Sequence, residues 1–232
     1  LKELKKVAYE KMQIRDNIVS EDSKVKHHIL FCAGTGCLSS GSKKLIEGMK
    51  EILAAKGIAD ECEVVITGCF GLCAEGPIVV VYPGNTMYTK VEASDLEEIV
   101  ESHLIGGKIV ERKLAESTPD ENGERLEPDF FRKQKRIALR NCGKINPEDI
   151  NESFAHDGYQ ALAKVVTEMT PDDVIQTMLD AGIRGRGGAG FPTGLKWKFA
   201  KASVDDQKYV CCNADEGDPG AFMDRSILEG DP

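Results

Sequence analysis

Residues 27–37 read HHILFCAGTGC, and residues 62–73 read CEVVITGCFGLC. Each opens as a short apolar, β-branched or aromatic run and stops in a glycine-containing loop, the pattern of a strand and the turn after it. Each loop carries two cysteines. Cys32 and Cys37 have four residues between them, Cys69 and Cys73 have three, and the two pairs stand 31 residues apart. Glycine lets loop backbone wrap closely round a buried object and aim its amides at sulfur. Four thiolates are the usual ligand set of a 2Fe–2S cluster, and amide hydrogen bonds to the sulfurs tune its potential. Structural zinc takes four cysteines too, in pairs usually spaced by about two to four residues, so the wide first pair is less typical of zinc without excluding it. The chain has eight cysteines and no secretory signal pattern. That combination suggests a reducing compartment, where spaced cysteines mean metal or redox chemistry more often than disulfides. The other four, Cys62, Cys142, Cys211 and Cys212, read as small core residues.

Working outward, SGSKKLIEGMKEILAAKG (40–57) is a helix with Leu45, Met49, Ile52 and Leu53 on one face and Gly57 at its stop. PIVVVY (77–82) and MYTKV (87–91) are strands about the turn Pro83-Gly84-Asn85. Ser94 and Glu97 have the spacing of a capping box, opening a helix to about Leu104. The order β-α-β-β-α is that of a small thioredoxin-like unit at 27–114, after a helical lead-in at 1–26. Residues 115–136 carry Pro, Gly and charge without apolar period and read as a linker. Its basic end, FRKQKR (131–136), reads as a solvated face, with docking to an acidic partner as the sharper alternative.

A second folded region spans 137–232. Thr170 caps a helix with Pro171 at its first position; Val174, Ile175, Met178 and Leu179 form its stripe, and Gly182 ends it. GIRGRGGAGFPTGLKW (182–197) follows. Gly185, Gly187 and Gly190 match G-x-G-x-x-G, but a helix precedes them where the dinucleotide fingerprint needs a strand. Phosphate is still the partner that the loop suits. Glycines allow close approach, Pro192 opens a helix whose N-terminal amides attract anions, and Arg184, Arg186 and Lys196 are cationic. KYVCCN (208–213) reads as a buried strand leading into NADEGDPGAFMDR (213–225). Asp215, Glu216 and Asp218 there fit magnesium, turn and cap duty, or hydrogen bonds to ribose and the polar edge of a flavin, with Asn213 helping.

The pattern C-x4-C, a gap of about thirty, then G-C-x-G-x-C-A-x-G-P resembles the thioredoxin-like 2Fe–2S ferredoxin domain, with Cys32, Cys37, Cys69 and Cys73 as its ligands. RGRGGAGFPTGLKW and NADEGDPGAFMDR together resemble the flavoprotein subunit of respiratory complex I and its soluble relatives. The resemblance implies FMN contacts at Gly185, Arg186, Gly187, Gly188, Lys196, Asn213, Asp215 and Glu216. It implies that Phe191 and Phe199 hold the adenine of NAD(H). Asp218 falls where many complex I members carry a glutamate touching the nicotinamide nucleotide. The expected fold class is α/β: a thioredoxin-like ferredoxin domain, then the start of an FMN-binding α/β domain of the complex I flavoprotein type.

The chain begins on Leu and stops just after a motif-like run, so it reads as part of a longer protein; the family's 4Fe–4S cysteines would lie beyond Pro232. Carrying both domains on one chain is similar to the NAD-linked diaphorase subunit of soluble multisubunit iron hydrogenases, electron-bifurcating ones included, with NAD-dependent formate dehydrogenase and complex I subunits as alternatives. The resemblance implies partner subunits bearing iron–sulfur clusters and the catalytic metal site, and ferredoxin as a further partner. It implies no catalytic side chain, because the chemistry belongs to the cofactors. A net charge of −9 argues against nucleic acid, no apolar run has membrane-spanning length, and a cytoplasmic location is expected. A zinc-stabilised scaffold without catalysis is the reading from another class. A thiol–disulfide oxidoreductase is disfavoured, since C-x-x-C is absent.

Overall fold

The computed structural model describes residues 1–116 and 128–232, the side chain of Asp129 excepted. They form two compact units, residues 1–156 with 214–232 and residues 157–213. Half of the linker read over 115–136, residues 117–127, lies outside the described residues.

In the first unit α1 (Lys2–Met12) precedes the central strand β1 (His27–Cys32). A short α2 (Thr35–Ser39) and the longer α3 (Ser42–Ala55) lead to β2 (Cys62–Thr67), then β3 (Val79–Tyr82), β4 (Thr86–Tyr88) and α4 (Ala93–Glu98). The sheet order is β2-β1-β3-β4. β1 runs parallel to β2, antiparallel to β3, and pairs Cys32 with Thr67 at its end. Both faces of β1 are covered, so it reads as one apolar run rather than an alternating one. Ile29 and Phe31 meet Leu45, Met49 and Leu53 of α3 on one face; Leu30 and Cys32 meet Val65, Phe70, Tyr82 and Phe131 on the other. Each such side chain taken from water stabilises the unit by about 1.5–3 kcal/mol. The second face is the one that carries the cysteine loops.

The cap of α4 lies two residues before the expected Ser94. Glu92 and Asp95 form the box, with the Glu92 amide donating to the Asp95 carboxylate at 2.7 Å. Asp95 is buried and also ion-pairs with Arg112 and Lys113, so contacts from elsewhere choose it over the locally better Ser94–Glu97 pattern. After α4 the helix widens into a π-helical turn, Ile99–Ile105.

Beyond the undescribed residues come α5 (Asp129–Arg132) and α6 (Ile150–Ala155). Residues 132–135 of the FRKQKR stretch are exposed, as a solvated face would be, while its two ends turn inward. Phe131 is buried, Arg136 stacks 5.1 Å over its ring, and the Arg136 guanidinium donates to the Cys142 carbonyl at 3.2 Å. Residues 1–16 fold onto 141–156: Ala8 and Met12 pack with Ile145 and Ala155. Arg15, nearly buried, donates to both oxygens of Glu152 at 2.5 and 2.9 Å, to the Lys144 carbonyl at 2.7 Å and to His28 Nδ1 at 3.0 Å.

The second unit holds α7 (Gln160–Glu168), α8 (Pro171–Asp180) and α9 (Thr193–Ala202). Thr170 caps α8 as expected, with Pro171 at the first turn, and the structure adds Asp173 to make a capping box. α8 and α9 touch at Gly194, where a Cβ would sit 2.7 Å from the Leu179 amide nitrogen. Residues 208–213 are not a strand: among the described residues they pair with no other strand, and Tyr209 and Val210 lie open to solvent. A strand exists only when its amides and carbonyls find a ladder, and the sheet among the described residues is filled by β1 to β4. Cys211 and Cys212 are accordingly exposed, not core, whereas Cys142 is buried. The last helix, α10 (Met223–Gly230), belongs to the first unit. No helix among the described residues is long and apolar enough to cross a membrane.

Candidate functional site

The end of β1 delivers Cys32, whose amide bonds to the Ile78 carbonyl at 3.1 Å and whose carbonyl accepts from the buried Ser42 hydroxyl at 2.6 Å. Cys37 sits buried on α2. Cys69 lies in the loop after β2 and Cys73 opens a 3-10 turn at the surface. The four thiols form one chain of neighbours: Cys37 with Cys32, Cys32 with Cys69, and Cys69 with Cys73 at 3.7 Å between sulfurs. Three glycines make room for it. A Cβ on Gly34 would lie 2.8 Å from Cys69 Cβ, one on Gly36 3.3 Å from Cys73 Cβ, and one on Gly76 2.7 Å from Cys37 Sγ. The Gly71 amide donates to Cys69 Sγ at 3.3 Å.

Crowding and burial decide which thiols hold their protons. A hydrogen bond with Cys37 pushes Cys32 up to about 11, while the same bond lowers Cys37. A hydrogen bond to Cys32, with burial, raises Cys69; burial raises Cys73. Four thiolates packed this closely repel one another, so the set gives up its protons only to cations placed among them. Among the described residues no three His, Cys, Asp or Glu side chains are gathered tightly enough to share one ion. A two-iron cluster takes two thiolates at each iron. The donor set, the glycine cradle and the amide aimed at sulfur fit that group. Over Cys69 and Cys73 opens a groove of about 690 Å³, walled by Leu38, Phe222 and Leu228.

The phosphate-type loop lies wholly in the second unit. Its neck is closed by the Gly185 amide on the Phe191 carbonyl at 2.8 Å and the Thr193 amide on the Ile183 carbonyl at 2.9 Å. Arg184 turns inward, its guanidinium donating to the Gly190 carbonyl at 3.0 Å. Gly188 and Gly190 have φ of +100° and +62°, and a Cβ on Gly187, Gly188 or Gly190 would meet nothing within 4 Å. Packing therefore does not ask for these glycines; a left-handed backbone and a bare approach surface do. Arg186, Phe191, Lys196 and Phe199 are exposed or half-exposed around the loop and along α9. That arrangement fits the phosphate end of a nucleotide at the α9 N-terminus.

Asn213 is exposed at the end of the second unit; Asp215, Glu216 and Asp218 belong to the first. Glu216 accepts from the Asp224 and Arg225 amides at 2.7 and 3.0 Å, capping α10, and those bonds hold its carboxyl below the usual range. Asp218 opens a turn closed by the Ala221 amide at 3.0 Å, with Gly220 at φ +82°. Asp215 and Asp218 stay exposed.

Two features escaped the sequence reading. The Arg15–Glu152–His28 network is buried, and nothing local pairs residues so far apart. Cys142 donates from Sγ to the Cys69 carbonyl at 3.0 Å, and burial pushes its thiol up to about 11. Its only sequence signal is a cysteine beside a glycine in a polar stretch.

A family model described as the thioredoxin-like [2Fe-2S] ferredoxin matches residues 17–103, and one described as the Nuo51 FMN-binding domain matches residues 178–232. A 2Fe-2S ferredoxin of Clostridium pasteurianum is 43% identical over 95 residues, which are 38% of this chain and 93% of that one. The NADP-reducing hydrogenase subunit HndC of Solidesulfovibrio fructosivorans is 60% identical over 101 residues, 44% of this chain and 20% of that protein. An NADH-quinone oxidoreductase polypeptide of Rhizobium meliloti is 47% identical over 96 residues, 41% of this chain and 23% of that protein. The matched stretches thus span about a fifth to a quarter of the two larger relatives.

Proposed function

This chain belongs to the thioredoxin-like [2Fe-2S] ferredoxin family and matches the Nuo51 FMN-binding family near its end, and from that premise we propose that it is part of an NAD(H)-linked electron-transfer subunit of a soluble multisubunit hydrogenase. When bound, FMN exchanges a hydride with NAD(H) and single electrons pass to iron–sulfur clusters. The observation that carries the reading is one chain holding both a glycine-cradled thiol quartet and an FMN-type glycine loop.

In this reading Cys32, Cys37, Cys69 and Cys73 hold the 2Fe–2S cluster, and the Gly71 amide stabilises charge on the Cys69 sulfur. Gly185, Arg186, Gly187, Gly188 and Lys196 hold the FMN phosphate; Asn213 and Asp215 bind its polar parts. Glu216, engaged by the α10 amides, shapes the acidic stretch. Phe191, Phe199 and Asp218 serve NAD(H). The likeness to a subunit of an NADP-reducing hydrogenase supports a hydrogenase with further subunits; iron–sulfur clusters on those subunits, ferredoxin as a further partner and the cytoplasm as location belong to the same proposal. The domain division runs 1–26, 27–114, 115–136 and 137–232.

Metal and flavin analysis of the reconstituted full chain tests this. The reading expects about two iron and two sulfide per quartet and saturable FMN binding. Zinc without iron, and no FMN uptake, would establish the scaffold reading instead.

A further inference from the structure

The cluster loop Thr67–Phe70 is braced from behind by a segment outside the cysteine pattern, residues 141–145. The fully buried Thr67 hydroxyl donates to the Ile145 carbonyl at 2.7 Å. The Cys142 thiol donates to the Cys69 carbonyl at 3.0 Å. Gly143 lies against the Phe70 ring so closely that a Cβ would sit 2.7 Å from two ring carbons. The brace is itself pinned. The Asn141 amide and side-chain nitrogen donate to the Asp231 carboxylate at 2.9 and 3.0 Å, and the Arg136 guanidinium holds the Cys142 carbonyl. Gly230 packs on Gly68, where a Cβ would meet Gly230 Cα at 2.4 Å. Residues 67, 69 and 70 are thus each fixed by a chain segment more than seventy residues downstream.

We propose that Asn141–Ile145 is a positioning element for the two-iron cluster, with Thr67 and Cys142 setting the direction of the Cys69 peptide. The inference rests on the cluster reading above. Two residues past the braced carbonyl, the Gly71 amide points at Cys69 Sγ. Such an N–H dipole favours the reduced, more negative cluster, so a shift of the braced loop that moves the Phe70–Gly71 peptide off the sulfur lowers the potential. Partners that orient a metal ligand from outside typically contribute about 10–100-fold in metal affinity.

The test uses the full chain reconstituted with iron and sulfide, as wild type, Cys142→Ala, Cys142→Ser, Thr67→Val and Thr67→Ser. The reduced cluster's electron paramagnetic resonance spectrum is recorded through a redox titration, and cluster loss to a chelator is timed. Cys142→Ala and Thr67→Val should shift the g-values, lower the midpoint potential and lose the cluster roughly tenfold faster. The two serine variants keep a donor and should return towards wild type. Wild-type g-values, potential and loss rate in Cys142→Ala and Thr67→Val would overturn the proposal. So would serine variants shifted as far as the others, which would mean that packing alone matters. If Cys142→Ala does not fold, Thr67→Val decides by the same criteria. A wild-type chain that binds zinc and forms no iron–sulfide chromophore sinks the cluster reading, and this inference with it.

Discussion

Replacing Glu152 by alanine leaves the Arg15 guanidinium, 6% exposed, without its carboxylate. Removing one partner of a buried ion pair costs about 3–5 kcal/mol, mostly because the other charge stays buried and uncompensated. Arg15 keeps the Lys144 carbonyl and His28 Nδ1, which places the loss at the lower end. The Asn146 amide also loses its acceptor on Glu152, for about another 1 kcal/mol. We expect about 3–4 kcal/mol in all. Hydrogen-exchange mass spectrometry on peptides from α1 and residues 141–156 reads this directly. At about 1.4 kcal/mol per tenfold, exchange should accelerate at least ~100-fold. The pair swapped for apolar residues, Arg15→Met with Glu152→Leu, leaves no buried charge and should be less destabilised than Glu152→Ala, keeping about 1–2 kcal/mol of loss from the Asn146 amide, the Lys144 carbonyl and His28. Exchange in Glu152→Ala within about threefold of wild type, or a double variant no better than the single one, would refute the reasoning.

Gly68→Ala must displace backbone, since its Cβ meets Gly230 Cα at 2.4 Å; a loss of about 1–3 kcal/mol is expected, seen as faster exchange across residues 223–232. Gly187→Ala has open space at its Cβ and no positive φ, so unfolding of the second unit should move by less than about 0.5 kcal/mol. FMN affinity, read by flavin fluorescence titration, should still fall about tenfold or more if the bare loop meets phosphate, a change worth about 1.4 kcal/mol; unchanged affinity would remove Gly187 from the site. His28 is pushed down to about 3 by burial and then by Arg15, so it is neutral when folded. Below about 6.5 the unfolded chain takes up that proton and the folded chain does not, so stability falls as the pH drops from about 6.5 towards 3. Urea midpoints between about pH 7 and 5 should fall less steeply in His28→Asn, and an equal slope would count against a neutral buried His28.

The thioredoxin-like core was legible because its signals are local. Val79, Val80 and Val81 make a strand, and Leu45, Met49 and Leu53 a helix face, whatever lies beyond them. The thiol quartet was legible from spacing and glycine alone. What escaped depends on distant partners. Ser94–Glu97 is the better cap by local chemistry, and the ion pairs of Asp95 with Arg112 and Lys113 favour Glu92–Asp95 instead. KYVCCN has strand composition but, among the described residues, no strand to pair with. Glu216 reads as one of several alike carboxylates, and only the fold gives it the Asp224 and Arg225 amides. Cys142 reads as a small core residue and is buried like one, but only the fold places its thiol on the Cys69 carbonyl.

The central claim is that NAD(H), FMN and the thiol quartet share one electron path. An anaerobic visible spectrum of the full-length protein, reconstituted with FMN, iron and sulfide, tests it before and after NADH, with NADPH alongside. Bleaching of both flavin and iron–sulfur absorbance by NADH is the expected result. Flavin and cluster absorbance that NADH leaves untouched would contradict it, and bleaching by NADPH alone would overturn the nucleotide assignment.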